Sequence, residues 1–271
     1  MSQKKIALVT GSTDGIGLFT ATKLAESGYK VIIHGRNEQR IQRSIETIKS
    51  KVSSAELDSI CCDLQSIENT KKMCDEILSK YSQLHLLINN AGILNEKREE
   101  SVDGNEMTFA VNVLAPFIIT RKLFELVRKT PHSRIIEVGS ISQPRYLDLK
   151  KIQHKEKYNM YRSYEYTKLM MISIAFELSE RYPDVWINTL DPGDVNTKML
   201  IKGWGRCGIE IEEADNQFWL ATNPDLENVH GKYFVDKKDT KAQYQAYDKN
   251  FRKELFEILE NLTGVSFQNL N

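Results

Sequence analysis

Residues 6 to 27 have the sequence IALVTGSTDGIGLFTATKLAES, and this stretch decides the fold. Its apolar start, residues 6–10, predicts a β-strand, and its amphipathic end, residues 18–27, predicts a helix. Between them lies a turn with three glycines, Gly11, Gly15 and Gly17. Glycine lets a backbone turn tightly and approach a pyrophosphate, whose charge the free N–H groups at a helix start attract. The stretch therefore predicts a strand, a phosphate-binding turn and a helix, in that order.

The spacing of this turn is Gly-x-x-x-Gly-x-Gly, which departs from the GxGxxG form of the dinucleotide fingerprint. A glycine-rich turn is also compatible with a tight connection that only packs a helix against a sheet. A functional interpretation of the turn therefore depends on the rest of the chain.

The chain continues as an alternation of short β-branched runs and amphipathic stretches. This alternation predicts a parallel sheet with helices on both faces, because parallel strands need crossover connections. We expect a single domain over residues 1–271, of the Rossmann-type, doubly wound α/β class, with a mainly parallel seven-stranded sheet. Beyond the first strand, the predicted strands are residues 30–33, 57–61, 84–89, 134–138, 185–190 and 231–235. The clearest later helices are predicted at residues 168–181 and 243–262.

The charge balance argues against one class of partner. Lysine plus arginine and aspartate plus glutamate both number 37 among the 271 residues, so the net charge is zero. No net positive field exists to bind nucleic acid or an anionic lipid surface. No apolar run is long enough to span a membrane, and the first strand follows the start too closely for a signal peptide. We therefore expect a cytoplasmic protein that binds a small molecule.

The spacing of cysteines and histidines predicts no metal site. The four cysteines, at positions 61, 62, 74 and 207, lack CxxC spacing, and the five histidines show no HExxH or paired ligand spacing. We expect reduced thiols, with Cys61 and Cys62 on opposite faces of a strand.

The end of the second predicted strand bears on the choice between the two nicotinamide cofactors. Residues 33–37 are Ile-His-Gly-Arg-Asn, with no acid to bind the adenine-ribose hydroxyls and repel a 2′-phosphate. Arg36 complements such a phosphate, so we expect NADP(H) to be preferred over NAD(H). The alternative is that Arg36 only caps a surface turn. Asp14, inside the glycine turn, counts mildly against a phosphate pocket.

Further motifs occur in a specific order along the rest of the chain, some at predicted strand ends and others in helical stretches. They are Asn89-Asn90-Ala91-Gly92, Asn112, Ser140, Tyr164 with Lys168, and Asp191-Pro192-Gly193-Asp194-Val195-Asn196-Thr197. Together with the glycine turn, they resemble the motifs of the short-chain dehydrogenase/reductase family over residues 5–235. The long stretch between Ser140 and Tyr164 resembles the retinol-dehydrogenase-like members. The resemblance implies an NADP-dependent oxidoreductase that interconverts an alcohol and a carbonyl, with a lipophilic ketone or aldehyde expected.

The resemblance gives four residues catalytic roles, and their chemistry fits those roles. A free phenol has a pKa of about 10, which a nearby lysine ammonium lowers toward the working range. Tyr164 would exchange the proton, and Lys168, on the same helix face, would approach both the phenol and the cofactor ribose. Ser140 would hydrogen-bond the substrate oxygen, and Asn112 would hold a water in the proton path.

The resemblance also implies a set of cofactor-binding residues. Besides Tyr164 and Lys168, they are Gly11, Ser12, Thr13, Gly15, Ile16, Gly17, Arg36, Asn37, Asp63, Leu64, Asn90, Ala91, Gly92, Pro192, Gly193, Val195 and Thr197. Asp63 is also suited to cap the helix that follows it. Asp191 departs from the residues that commonly precede Pro-Gly in the family, and its role stays open.

Several residues compete with this assignment. Three tyrosines near Tyr164 lack a lysine four residues further on, and we expect them to pack or to line a substrate loop: Tyr158, Tyr161 and Tyr166. Ser142 competes with Ser140, which we prefer because residues 137–140, Glu-Val-Gly-Ser, match the family's strand end. The alternative for Asn112 is a polar side chain that is satisfied within its own helix.

Two segments without clear periodicity, residues 142–162 and 198–214, are expected to bind the substrate. The second contains three glycines, and we expect it to close over bound cofactor as a mobile lid. The resemblance implies a homo-oligomer, a dimer or tetramer, through the helices that bear Asn112 and Tyr164. The closing helix is an alternative cover for that apolar surface.

Two other functions stay open. The chain could be a catalytically silent NADP(H)-binding sensor or scaffold, because a fold alone does not establish chemistry. It could also be an epimerase or dehydratase of the same fold. The complete catalytic set argues against the first, and the lack of room for a larger carboxy-terminal substrate domain argues against the second.

Overall fold

A sheet of eight strands forms the centre of the computed structural model, which describes residues 4–268. In chain order the strands are β1 (Ile6–Val9), β2 (Lys30–Gly35), β3 (Leu57–Cys61), β4 (Leu86–Asn89), β5 (Arg134–Val138), β6 (Trp186–Leu190), β7 (Tyr233–Val235) and β8 (Lys238–Thr240). Their order across the sheet is β3-β2-β1-β4-β5-β6-β7-β8, and all neighbours pair in parallel except β7 and β8. The strand order therefore reverses between β1 and β4, where a doubly wound fold opens its binding crevice.

Helices cover both faces of the sheet, as the alternating sequence predicts. They are α1 (Gly15–Glu26), α2 (Glu38–Lys51), α3 (Ile67–Lys80), α4 (Met107–Phe109), α5 (Ala115–Arg128), α6 (Met160–Arg181), α7 (Lys198–Trp204), α8 (Asn216–Thr222) and α9 (Lys249–Thr263). A π-helical turn, Ala110–Leu114, joins α4 to α5. Apolar side chains of α1, α2 and α8 pack on one face of the sheet, and those of α3, α5, α6 and α9 pack on the other. Most strands are thus covered on both sides, which explains their near-continuous apolar sequences.

The prediction of seven strands is wrong, because β8 adds an antiparallel edge to β7. The two strands meet at a two-residue turn, Asp236 and Lys237, whose φ angles are +47° and +62°. Positive φ at both central residues is characteristic of a type I′ hairpin, which usually contains asparagine or glycine. The three residues of β8 are all exposed. The strand therefore has neither the turn signal nor the apolar alternation by which a sequence shows a hairpin.

Two helices begin at other residues than the sequence predicts. α6 begins at Met160 rather than at residue 168, because the Asn159 side chain caps it. α9 begins at Lys249 rather than at residue 243, with Asp248 as its cap. A separate 3₁₀ turn, Tyr244–Tyr247, occupies the residues before that cap. Both differences come from cap residues inside stretches whose apolar periodicity is weak.

Two further local features differ from the sequence interpretation. Residues 198–214 lack clear periodicity, yet they contain α7, whose first turn is capped by the Thr197 hydroxyl. Asp63 is a candidate cap for the following helix, but Ser66 caps α3 instead. The Asp63 carboxylate accepts from the main-chain and side-chain N–H groups of Gln65. These contacts hold the carboxylate in the loop that follows β3.

α9 covers the apolar face that α5 and α6 present. Phe256 of α9 and Phe267 pack edge-on against Phe117 of α5, with ring centroids 5.4 and 5.2 Å away. Arg252 of α9 forms a salt bridge with Glu180 of α6 at 2.6 Å. The closing helix is therefore anchored to this face by both aromatic and charged contacts.

The cysteines and the helix compositions complete the description of residues 4–268. All four cysteines are free, with Cys61 exposed and Cys62 buried. No helix in this range is long and apolar enough to cross a membrane. Within the same range, no three histidine, cysteine, aspartate or glutamate side chains are grouped so that they could hold a metal ion.

Candidate active site

A cleft of about 450 Å³ opens at the carboxyl ends of the strands, where the strand order reverses. Its wall combines the glycine turn, the loops after the central strands, and parts of α6 and α7. The predicted site residues that line it are Gly11, Thr13, Gly15, Ile16, Gly17, Arg36, Asp63, Leu64, Asn90, Ala91, Gly92, Tyr164, Lys168, Pro192 and Thr197. The predicted residues outside this wall are Ser12, Asn37, Asn112, Ser140, Gly193 and Val195.

The glycine turn brings the main chain directly against the end of β4. Gly11 has a φ of +66°, and a Cβ there would lie 2.9 Å from the Cα of Ala91. At Gly17, a Cβ would lie 2.4 Å from Asn90 Nδ2 and 2.5 Å from the Gly11 carbonyl oxygen. These positions admit no side chain, so the main chain at the start of α1 lines the cleft uncovered. The turn forms a cradle suited to a pyrophosphate.

His34, to which the sequence interpretation gives no role, holds this turn in place. The ring is buried; Nδ1 accepts from the Gly11 N–H at 3.0 Å, and Nε2 lies 3.2 Å from the Cys62 carbonyl oxygen. Because Nδ1 accepts, the proton of the neutral ring is on Nε2, and burial lowers the ring's pKa to about 4. The Ser12 hydroxyl accepts from the His34 N–H at 2.9 Å. Ser12 therefore faces β2 through its side chain, rather than the cleft.

Two exposed arginines line the cleft beside the end of β2. Arg36 follows this strand, and Arg40 lies on the first turn of α2. Neither forms a salt bridge with another residue in the range 4–268. Asn37 caps α2 by accepting from the Arg40 N–H at 3.0 Å. Two cations without a counter-ion suit a phosphate group, and the sequence interpretation found only the first of them.

A chain of side-chain hydrogen bonds orients Asn90 at the floor of the cleft. Asn90 Nδ2 donates to the Thr10 carbonyl at 2.8 Å, and Gln217 Nε2 donates to Asn90 Oδ1 at 2.9 Å. The Thr20 hydroxyl of α1 lies 3.2 Å from Gln217 Oε1. Gln217 is fully buried and comes from α8. Its partners are far away along the chain, so no local pattern marks it in the sequence.

Tyr164 and Lys168 lie on successive turns of α6 at the other end of the cleft. Lys168 Nζ is 5.3 Å from the centroid of the Tyr164 ring and donates to the Val138 carbonyl at 2.8 Å. Both side chains are buried, and the phenol forms a hydrogen bond with Ser140. The structure thus gathers three of the four predicted catalytic residues into one cluster.

Burial dominates the titration of this cluster. Burial, followed by the charge of Asp191, raises the pKa of the Tyr164 phenol, and the hydrogen bond with Ser140 opposes this only in part. Burial lowers the pKa of Lys168 to about 8, against the opposing charges of Asp191 and Glu137. The phenol pKa is therefore raised in this arrangement, where the sequence interpretation expects it to be lowered. The physical reason is that desolvation outweighs the charge of an ammonium that bonds the main chain.

Asn112 lies in the π-helical turn, and its side-chain amide hydrogen-bonds neighbouring groups. Oδ1 accepts from the Ile93 N–H at 2.8 Å, and Nδ2 donates to the Ile93 carbonyl at 3.0 Å. Nδ2 also donates to the Thr167 hydroxyl at 3.2 Å. The side chain ties the loop after β4 to α6, and its role in holding a water stays a prediction.

The residues that compete with Tyr164 and Ser140 have other partners. Tyr158 and Tyr161 donate their hydroxyls to main-chain carbonyls, each at 2.6 Å. Tyr166 stacks on a histidine ring, with centroids 5.0 Å apart. The Ser142 N–H donates to the Ser140 hydroxyl at 3.0 Å. Of the two serines, Ser140 is the one that hydrogen-bonds the Tyr164 phenol.

α7 packs over the cluster from the loop after β6. The Trp204 ring packs against the rings of Tyr164 and Tyr161, with centroids 5.9 and 5.3 Å away. At the other end of α7, Lys198 forms a salt bridge with Asp14 of the glycine turn. Asp14 is therefore paired with a cation, which weakens its effect on a phosphate in the cradle. α7 contacts both ends of the cleft.

Two buried carboxyl groups lie behind the Tyr164 cluster, and the sequence interpretation assigns no role to either. Glu137 on β5 accepts from Asn89 Nδ2 at 2.9 Å, and burial raises its pKa to about 7. Asp191, directly after β6, accepts from the main-chain N–H groups of Ile141 at 2.8 Å and Gly193 at 2.9 Å. The sequence signal of Glu137 is an acid inside an otherwise apolar strand, and that of Asp191 is an acid directly after one.

The residues present fit a nicotinamide dinucleotide. A cradle that only glycine allows lies at the switch point of the sheet, and beside it, at the end of β2, lie two arginines that form no salt bridge within residues 4–268. A buried phenol and ammonium lie at the opposite end of the same cleft, with the Ser140 hydroxyl behind them. Gly11 and Gly17 would hold the pyrophosphate, and Tyr164 and Lys168 would face the reacting end.

Comparison with known proteins identifies relatives along nearly the whole chain. Residues 5–204 match a family model described as short chain dehydrogenase. Over 282 residues the chain is 29% identical to polyprenol dehydrogenase of Homo sapiens, covering 96% of this chain and 86% of that protein. Over 292 residues it is 30% identical to retinol dehydrogenase 14 of Homo sapiens, covering 96% and 87%.

Solved structures with the same fold support the architecture. One, an uncharacterised protein from Mycobacterium paratuberculosis, has a TM-score of 0.79 at 22% identity, covering 98% of this chain and 95% of that one. Another, a short chain dehydrogenase from Shigella flexneri complexed with NADP, has a TM-score of 0.71 at 22% identity, covering 85% and 95%.

Proposed function

The chain belongs to the short chain dehydrogenase family, and on this premise we propose that it is an NADP(H)-dependent oxidoreductase that interconverts a carbonyl and an alcohol. One observation carries the proposal. The same cleft has the glycine cradle at one end and Tyr164 and Lys168, with Ser140 behind them, at the other. That arrangement supplies a place for a dinucleotide and a proton donor at its reacting end.

The residues of the chain would move the proton and hold the substrate oxygen. When bound, a nicotinamide supplies the hydride to the carbonyl carbon or accepts it from the alcohol. In the reduction, Tyr164 donates its phenolic proton to the substrate oxygen, and the O–H bond of the alcohol forms. Ser140 hydrogen-bonds this oxygen while negative charge develops on it. The Lys168 ammonium stabilises the phenolate that remains until it takes up a proton again, and oxidation reverses each transfer.

The preference for NADP(H) belongs to the same proposal. Arg36 and Arg40 line the cleft without a salt-bridge partner in the described part of the chain, and no acid follows β2 directly. A 2′-phosphate brings two negative charges to this place, which favours charge-assisted hydrogen bonds to guanidinium groups.

A lipophilic substrate is the class that the surroundings of Tyr164 favour. The rings of Trp204 and Tyr161 lie over the cluster, and Met199 lines the cleft. Two relatives are named for polyprenol and retinol, which are lipophilic alcohols. Because Trp204 packs on Tyr164, α7 would have to move as a lid before a bulky carbonyl could reach the phenol.

The test combines binding, turnover and a matched pair of variants. We expect tryptophan fluorescence to change on titration with NADPH, and NADPH absorbance to fall when aromatic, quinone, aliphatic or retinoid carbonyls are added. Tyr164→Phe should bind NADPH unchanged and lose turnover by about a thousandfold, the middle of the range for general acid catalysis. Tyr166→Phe removes the same hydroxyl from a tyrosine two residues away and should keep the turnover. Turnover that survives in Tyr164→Phe would refute the mechanism, and binding without turnover on any carbonyl would favour a sensor.

Assembly and location are further proposals. The homo-oligomer implied by the resemblance would pair the helices around Asn112 and Tyr164, but α9 covers the α5–α6 face with Phe256. We therefore expect any dimer to form through another surface. Sedimentation equilibrium would measure the oligomeric state. Cytoplasmic location stays a prediction from the sequence.

A further inference from the structure

His34 joins the ends of three adjacent strands. It lies in β2, which pairs with β3 on one side and with β1 on the other. Nδ1 of its ring accepts from the Gly11 N–H, after β1, at 3.0 Å, and Nε2 lies 3.2 Å from the Cys62 carbonyl oxygen, after β3. The residue is 2% exposed. One side chain of the middle strand therefore bonds the main chain at the ends of both neighbouring strands.

The first glycine of the turn is held from two sides. His34 accepts from its N–H, and Asn90 Nδ2 donates to its carbonyl oxygen at 3.4 Å. Ser12, the next residue, donates its N–H to the His34 carbonyl at 3.0 Å and accepts from the His34 N–H through its hydroxyl at 2.9 Å. Glycine is the most flexible residue, and Gly11 has a φ of +66°. These bonds therefore set the shape of the cradle before any phosphate binds.

His34 also fixes the strand end that leads to the arginines. Arg36 lies two residues after His34. Between them, the Gly35 carbonyl accepts from the Cys62 N–H at 2.9 Å, so this stretch is bonded to the end of β3 as well. Arg36 and the glycine turn line the same cleft. A shift of the cradle relative to Arg36 therefore has to break bonds of His34.

A fixed spacing matters for a ligand that has two anionic groups. NADP(H) has a pyrophosphate and a 2′-phosphate on one molecule, and the group that binds first holds the other near its own site. Ordering a loop on binding costs free energy, which a preorganised site avoids. A cradle that His34 holds ready therefore binds the pyrophosphate without this cost.

We propose that His34 is a positioning residue for the cofactor: its ring holds the glycine cradle at a fixed place beside Arg36, so that the pyrophosphate and the 2′-phosphate of one NADP(H) molecule bind together. The inference rests on the proposed function and extends it to a residue that acts through the main chain of Gly11. A buried histidine of β2 thereby becomes a determinant of cofactor affinity.

The test compares two variants that each keep half of the bonding of the ring. In His34→Asn, the side-chain oxygen takes the position of Nδ1 and can accept from the Gly11 N–H. In His34→Gln, the side-chain nitrogen takes the position of Nε2 and can donate to the Cys62 carbonyl, but Gly11 loses its acceptor. Both variants bury one new polar atom, so we expect urea unfolding to show similar losses of stability.

His85 supplies the matched control. Its Nδ1 accepts from the Ile6 N–H at 3.0 Å, so it makes the same kind of main-chain contact at the amino end of β1. The cleft opens at the carboxyl ends of the strands, away from this contact. We expect His85→Gln to lower stability and to leave cofactor binding unchanged.

Isothermal titration calorimetry measures the dissociation constants of NADPH, of ADP, which has a pyrophosphate but no 2′-phosphate, and of adenosine 2′-phosphate, which has no pyrophosphate. We expect His34→Gln to raise the constants of NADPH and ADP about tenfold, because the turn then has its binding conformation in only about a tenth of the molecules. The constant of adenosine 2′-phosphate should change less than about twofold, and His34→Asn should raise that of NADPH less than about threefold.

Three outcomes would contradict these expectations. An unchanged NADPH constant in His34→Gln, or equal losses of NADPH affinity in His34→Gln and His34→Asn, would overturn the inference and leave the proposed function intact. Weakening of adenosine 2′-phosphate by the same factor as NADPH would also overturn the inference, because the effect would then not be local to the cradle. Absence of NADPH binding to the wild-type protein would overturn the proposed function and this inference together.

A kinetic and a spectroscopic readout complete the test. In His34→Gln, the KM for NADPH should rise about tenfold at an unchanged kcat, because Tyr164 and Lys168 lie at the other end of the cleft. A fall in kcat alone would overturn the inference. In the wild-type protein, which needs no variant to fold, nitrogen NMR should show the Nε2–H tautomer of His34 and a slowly exchanging Gly11 amide. A rapidly exchanging Gly11 amide would overturn the inference.

Discussion

The two ends of the cleft handle charge by opposite means. At the nucleotide end, the glycine turn offers main-chain N–H groups, the buried His34 is neutral, and the cations Arg36 and Arg40 are exposed. At the reacting end, Lys168, Glu137 and Asp191 are all buried and titrate away from their ordinary ranges. The first end binds charge with dipoles that are already in place, whereas the second places charges where water cannot screen them.

The two ends of the cleft differ in how strongly they depend on buried charges and their partners. The glycine turn forms its cradle from its own main chain, and the residues that hold it, the neutral His34 ring and the Asn90 amide, carry no buried charge. A buried ammonium or carboxylate is costly unless neighbouring strands supply partners. The nucleotide end should therefore respond most to local steric changes, and the reacting end to changes of charge and pH.

The largest effect on cofactor affinity should come from a side chain that fills the glycine cradle. In Gly17→Ala, the new Cβ would meet Asn90 Nδ2 and the Gly11 carbonyl oxygen at 2.4 and 2.5 Å. We expect a loss of NADPH affinity of about a hundredfold or more, roughly 3 kcal/mol, measured by fluorescence titration. Gly28→Ala, in open space with a φ of +83°, should lower stability and keep the affinity. Equal loss of affinity in both variants would show that the cradle does not act locally.

A smaller loss of cofactor affinity should follow from removing the exposed cation Arg36. We expect Arg36→Ala to lower the affinity for NADPH by about tenfold to thirtyfold and to leave NADH unchanged, in line with a charge-assisted hydrogen bond. Arg40→Ala should act in the same direction by a smaller factor. The control is Arg43→Ala on the same helix, because Arg43 is exposed but does not line the cleft. A similar loss for NADH in Arg36→Ala would mean that the 2′-phosphate does not bind there.

Much of the nucleotide end could be predicted from the sequence, because its signals are local. The order of strand, glycine turn and helix is visible within residues 6–27, and β3 and β5 have the predicted bounds. His34 and Gln217 could not be found in this way. His34 is an ordinary strand residue until the fold sets its ring against Gly11, and Gln217 acts on an asparagine 127 residues earlier in the chain.

The reacting end could be predicted only in its residue types. The i, i+4 spacing places Tyr164 and Lys168 on one helix face, and the structure agrees. The direction in which the phenol pKa moves depends on burial and on Asp191, which a spacing does not contain. β8 and α7 were missed for a related reason, because their stability depends on pairing and capping rather than on periodicity.

The smallest effect should be a change in how stability depends on pH. Burial raises the pKa of Glu137 from its ordinary value of 4.5 to about 7, so the folded protein binds this proton more tightly than the unfolded chain. The contribution of this proton to the free energy of unfolding is fully present below pH 4.5 and is lost as the pH rises through about 7. Glu137→Gln removes this dependence. Between pH 5 and pH 8, we expect its free energy of unfolding to fall by about 2 kcal/mol less than that of the wild type.

Urea unfolding at several pH values would measure this difference. Glutamine keeps the oxygen that accepts from Asn89. The matched control is Glu68→Gln on α3, whose carboxylate pairs with Lys72 at the surface. Its pH dependence should follow that of the wild type. If the free energy of unfolding of Glu137→Gln declined in parallel with that of the wild type, Glu137 would be ionised throughout this range.

The cover that α9 provides has a consequence for the synthesis of the chain. A ribosome makes α6, with its buried apolar residues, before it makes the residues of α9. At about 5–20 residues per second, the face of α6 waits several seconds for Phe256 and Phe267. During this interval the nascent chain exposes an apolar stripe to other unfolded chains and to chaperones. A mutation that weakens α9, far from the cleft, would therefore lower the yield of soluble protein. The molecules that do fold would keep an intact site.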